Sequence, residues 1–95
     1  MEVNIDGRNI TTEQDFHRHL AMALNVRQVY GCNLDALWDL LSASIERPIT
    51  LRWKCHESSK ANMGSDFDGI IEVLERVRLQ DESFKLKDKF SYVLE

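Results

Sequence analysis

Three short stretches of this chain alternate apolar and polar residues, and long stretches with helical signals separate them; that order constrains the fold more than any other feature. Val3 and Ile5 alternate with Asn4 and Asp6 before Gly7. Ile49, Leu51 and Trp53 alternate with Thr50, Arg52 and Lys54, and Phe90, Tyr92 and Leu94 with Ser91 and Val93. Period two marks a strand with one face buried. Strands joined by helical crossovers must run parallel. Parallel strands covered on both faces read as unbroken apolar runs, so the alternation in all three predicts helices on one face only. Right-handed crossovers that keep every helix on that face give the order 1-2-3. The expected fold is α/β: one domain over residues 1–95, two layers, a three-stranded parallel sheet of order 1-2-3 with helices packed on one face.

Helix signals fill the intervals. Thr12, with Glu13 and Asp15 behind it, starts a helix that should carry Phe16, Leu20, Ala23 and Leu24 inward and His17 and His19 on its surface. Asn33 caps a second helix, and Pro48 ends that helical run. Glu57 to Met63 suits a short helix. Ser65 with Asp68 resembles a capping box ahead of Phe67, Ile70, Ile71, Leu74 and Val77, an apolar face at helical spacing. Gln80 to Lys89 is highly charged and reads as an exposed connection.

Composition narrows the function. With 95 residues, 43% of them hydrophobic and 29% charged, the chain can bury a self-sufficient core. Its net charge of −4 argues against gripping a phosphate backbone and favours a basic protein partner or simple solubility. The N-terminal MEVNIDGRNI has neither a basic nor an apolar leader region, and no run approaches the ~18 apolar residues of a membrane span, so a cytoplasmic protein is expected. Cys32 and Cys55 are expected to be free thiols there. Cys55 beside His56 falls short of the four ligands of structural zinc, and neither metal nor cofactor is expected. A single core accounts for the apolar stripes, which makes a monomer the default.

The functional signal is Tyr30 to Asp39, YGCNLDALWD. With Asn33 as N-cap, Leu34, Leu37, Trp38, Leu41 and Ile45 gather into one apolar stripe, while Asp35, Asp39 and Ser42 centre ~120° away and face outward. Like charges at i,i+4 cost a helix ~0.2–0.5 kcal/mol. The helical neighbours of Asp39 are Asp35, Ala36, Ser42 and Ala43, so no cation in the helix relieves that repulsion. Asp35 has a bland explanation in the helix dipole, but Asp39 lies beyond the first turn and gains little from it. Two carboxylates one turn apart beside Trp38, with Tyr30 and Asn33 in the preceding loop, suit an external cluster of cations.

YGCNLDALWD, followed by PITLRW from Pro48 to Trp53, resembles the barstar family, intracellular inhibitors of barnase-type ribonucleases from bacteria. The likeness extends to NIDGRNI from Asn4 to Ile10 and fades in the last third. It implies that Asp39 and Asp35 plug a ribonuclease active site, with Val29, Tyr30, Gly31, Asn33, Trp38 and Ser42 as surrounding contacts, and that inhibition is occlusion without catalysis. Val29 and Ser44 stand where the family pattern has aromatics, and Arg76 and Gln80 where it has acids. A cation facing a basic enzyme opposes steering, so a cognate nuclease with a modified rim is expected. The alternative is an immunity or adaptor module for another basic protein, such as a nuclease toxin. An enzyme is disfavoured, because the carboxylates face outward and Cys32 has no evident base.

Overall fold

The computed structural model describes residues 1–28 and 30–95. Strands β1 (Glu2–Asp6), β2 (Ile49–Lys54) and β3 (Phe90–Leu94) form one parallel sheet in the order β1-β2-β3, with Val3 opposite Leu51 and Leu51 opposite Tyr92. Among the described residues, helices α1 (Glu13–Leu24), α2 (Leu34–Asp39), α3 (His56–Met63) and α4 (Ser65–Ser83) accompany it. Val3, Ile5, Ile49, Leu51, Trp53 and Phe90 are buried, while their neighbours Glu2, Asn4 and Lys54 are exposed, so the period-two pattern sorts the two sheet faces as expected.

Trp53 organises the core. It is fully buried, its ring stacked 4.8 Å from Phe16 of α1 and tilted 5.2 Å from Phe67 of α4. Its indole Nε1 donates to Ser59 Oγ at 3.2 Å, and Ser59 Oγ donates to the Gly7 carbonyl at 2.9 Å. A buried polar pair is thereby satisfied, and α3 is tied to the end of β1. Gly7 has to be glycine, since a Cβ there would meet the Cys55 carbonyl oxygen at 2.2 Å.

Five details differ from the sequence reading. His17 is buried, and Ala21 packs inward where Ala23 was expected, because Phe16, His17, Leu20 and Ala21 form the inner stripe. The Thr12 start is a complete capping box with Asp15. At the start of α4, by contrast, no Ser65 cap forms; Gly64, at φ 60°, ends α3 and opens α4 with no side-chain cap. After Asp39 the helix widens into a π turn over Leu40–Ser44. The α4 helix runs on to Ser83, so the expected connection from Gln80 is half helix and its Asp81 is fully buried.

That burial has a partner. Arg47 Nε and Nη2 donate to Asp81 Oδ2 and Oδ1 at 2.9 and 3.1 Å, and the Phe90 amide donates to Oδ2 at 2.7 Å. Arg47 Nη1 also donates to the Ile45 carbonyl at 2.7 Å. Burial pushes the Asp81 carboxyl up, but Arg47 and the Phe90 amide outweigh it, so the group titrates below its ordinary value. A folded value below the unfolded one means that this stabilisation is full above pH ~4 and is lost as the pH falls through the folded value. Asp81→Ala should cost roughly 3–5 kcal/mol, because it removes a buried carboxylate and strands a guanidinium that is only 13% exposed. Urea denaturation of both proteins from pH 7 to pH 2 checks this: the gap should narrow below pH ~4, and a gap independent of pH would rule out the ion pair as its cause.

Candidate functional site

The acidic residues stand on α2, and its start follows from Asn33. That side chain accepts from the Ala36 amide at 2.7 Å and donates to the Gly31 carbonyl at 3.4 Å, which fixes both the helix start and the loop before it. Leu37 faces the core, and Asp35 and Asp39 are exposed. Neither aspartate has a cationic nitrogen within 4.0 Å among the described residues. The carboxylates therefore remain free, one helical turn apart.

Helix α4 forms the opposite bank. Gly69 lets Leu34 of α2 come close, since a Cβ at Gly69 would lie 3.3 Å from Leu34 Cδ1. Between the two helices is an open groove of about 500 Å³ lined by Leu34, Asp35, Trp38 and Asp39 on one side and Gly69, Glu72, Val73 and Arg76 on the other. The Arg76 guanidinium carbon sits 4.7 Å from the centroid of the Trp38 ring. Glu72 is a third carboxylate that the sequence reading missed. No periodicity within one helix tells which residue of another helix will face it.

On its other flank Asp39 borders a second hollow, of about 370 Å³, with Val26, Tyr30, Gly31, Ala36, Leu40, Ser44 and Ile45. Most of these are apolar, with Ser44 a polar exception beside Asp39. Asp39 is thus a ridge between an acidic groove and an apolar hollow.

The loop ahead of α2 is braced from below by α1. Tyr30 is only 8% exposed, and its hydroxyl is hydrogen-bonded to His17 Nδ1. His17 Nε2 meets Glu13 Oε2 at 2.9 Å, so both nitrogens of this buried ring are satisfied. Burial pushes the Tyr30 phenol up, and Cys32 and Glu13 act in the same direction. Gln14 Nε2 donates to the Cys32 carbonyl at 3.2 Å, and Cys32 itself has left-handed backbone at φ 56°. The histidine expected on the surface is therefore a support of the loop.

Asp35, Trp38 and Asp39 come together in the groove, and Tyr30 and Gly31 join Asp39 at the hollow. Asn33 links the two as a cap. Ser42 lines neither; it is half-buried in the π turn, where its carbonyl accepts from Gln80 Nε2 of α4 at 3.4 Å. Val29 lies outside the described residues. Among the described residues no group of three His, Cys, Asp or Glu side chains is placed to hold a metal ion, and Cys32 and Cys55 are unbridged. Among the described residues no helix is long and apolar enough to cross a membrane.

A two-layer α/β domain with an acidic groove open between two helices is the class of protein these features define. The sequence matches the family model for Barstar (barnase inhibitor) over residues 1–94. It is also 36% identical, over 94 residues, to a protein of Bacillus subtilis (strain 168) named "Putative ribonuclease inhibitor YrdF", with 99% of this chain and 98% of that one covered. The chain belongs to the barstar family.

The brace beneath the loop yields a prediction. Tyr30→Phe removes one partner of a buried histidine and should cost about 1–3 kcal/mol of stability. Amide exchange at 31–33 should accelerate more than exchange in the sheet, measured by native-state hydrogen exchange. Equal acceleration everywhere would show that the brace has no local role.

Proposed function

We propose that this chain is an intracellular inhibitor that occludes the active site of a barnase-type ribonuclease with α2 and the loop before it. The observation that carries this reading is the pair Asp35 and Asp39, exposed, one turn apart and without an ion-pair partner among the described residues. An enzyme that grips successive RNA phosphates has to concentrate cations in its cleft, and two preorganised carboxylates compete for that field. Asp39, on the ridge between groove and hollow, is the central anchor, and Asp35 flanks it. Gly31, Asn33, Trp38 and the Tyr30 edge supply shape around them, with Val29 and Ser42 at the margin.

No covalent step is needed. Binding excludes RNA from the cleft, and the preformed α2 cap and braced loop limit the entropy lost on docking. In this reading the protein acts as a cytoplasmic monomer on a basic, extracellular-type ribonuclease, and touches neither RNA nor membrane itself. Membership in a family described as barnase inhibitors supports it. Arg76, a cation on the rim of an acidic groove, favours a second reading: an immunity or adaptor module for another basic protein, such as a nuclease toxin.

Stoichiometric protein should suppress RNA cleavage by a barnase-type ribonuclease. Asp39→Ala should weaken that inhibition at least ~30-fold, the scale of an interface hot spot of ~2 kcal/mol. Raising salt should slow association more than it speeds dissociation. Full cleavage in the presence of excess protein would sink the inhibitor reading, and capture of a basic protein without ribonuclease activity would favour the second.

A further inference from the structure

The groove holds one cation among three carboxylates, and the cation does not pair with any of them. Asp35, Asp39, Glu72 and Arg76 all line it, yet no carboxylate oxygen lies within 4.0 Å of Arg76 among the described residues. Arg76 rests on the Trp38 indole instead. The other α4 arginine behaves differently: Arg78 Nη2 meets Glu75 Oε2 at 2.5 Å, and Arg78 Nη1 lies 3.6 Å from Glu82.

Stacking on a half-buried indole is of the same order as a solvent-exposed ion pair, so the indole competes on equal terms. The outcome matters for recognition. With its carbon over the ring and no ion-pair partner among the described residues, this guanidinium keeps N–H groups available to a planar oxyanion. Trp38 thus keeps Arg76 from neutralising Asp35 and Asp39, and presents it as a separate positive point beside them.

We propose that Arg76 selects the partner: it fits a ribonuclease whose active-site rim presents a carboxylate above the α4 bank of the groove, while the enzyme's cationic centre takes Asp35 and Asp39. This rests on the inhibitor reading. An aspartate or glutamate of a folded protein suits the geometry better than an RNA phosphate, because three anions in the same groove repel a polyanion and a single carboxylate docks at one point of the rim. A partner with only cations on its rim meets Arg76 as a like charge, which costs association rate and affinity.

The test uses the full chain and the barnase-type ribonuclease encoded in the same genome, with inhibition constants measured for the native protein, Arg76→Gln, Arg76→Glu and Asp39→Ala. Arg76→Glu should weaken inhibition at least tenfold and Arg76→Gln by less. Each acidic residue on the enzyme's rim is then changed singly to Lys, and one of these changes should restore at least tenfold of the loss with Arg76→Glu, a rescue that disturbed packing on Trp38 cannot produce. Unchanged or tighter inhibition by Arg76→Glu, or the absence of any rescuing position, overturns the proposal while a loss with Asp39→Ala leaves the inhibitor reading standing. If Asp39→Ala has no effect, or the native protein inhibits nothing, both fall. Binding of Arg76 to a labelled RNA oligonucleotide, lost in Arg76→Gln, would also overturn it.

Discussion

The buried Asp81 carboxylate and the partly buried Arg47 guanidinium fix where α4 meets the sheet. Asp81 comes from the last turns of α4, Arg47 from the segment just before β2, and the third bond comes from the first amide of β3. One carboxylate therefore sets the ends of two neighbouring strands against the helix that covers them. Such pairs add little net stability over an apolar replacement, since each charge gives up its water. Their force is geometric. An Asp81 displaced from Arg47 leaves a buried carboxylate and a partly buried guanidinium unmet, so alternatives to this docking are expensive. The fourth bond, from Arg47 to the Ile45 carbonyl, carries that restraint to the end of the π turn, and Gln80 reaches the same turn at Ser42. The acidic helix is thus held at its far end by α4 and at its near end by the Asn33 cap and the His17 brace.

The sheet was readable because its information is local. Period-two alternation in three places, with helical stretches between them, leaves few arrangements that bury one face, and the observed order and parallel pairing follow. Helix starts are readable where a side chain makes the cap, at Thr12 and Asn33, and not at Ser65, where α4 opens after Gly64 with no side-chain cap. In sequence His17 reads as a surface residue without a second ligand at helical spacing, and Asp81 as part of the charged Gln80–Lys89 stretch. Each is buried because distant residues complete its hydrogen bonds, Tyr30 in one case and Arg47 with Phe90 in the other, and no pattern in sequence reports those meetings. The same limit applies to the site. Asp35, Trp38 and Asp39 were legible as one face of one helix, but Glu72 and the apolar hollow exist only because α2 packs on α4 and the π turn opens beside Ser44.

An acidic surface left unpaired is a cost that a fold selected for stability alone would remove with a cation one turn away. Here the cation that lines the same groove rests instead on an indole. The exchange is close to neutral in energy, because stacking and surface pairing are of similar strength. Its electrostatic effect is not neutral. If Arg76 swung onto Asp39 it would halve the charge of the carboxylate pair, and the field reaching an approaching cation-rich cleft would fall with it. Held on Trp38, it leaves both anions available and adds a positive feature that a partner must accommodate. The same tryptophan that borders the acidic face thereby separates the charges, so attraction to basic partners in general and discrimination among them reside in neighbouring residues of one groove.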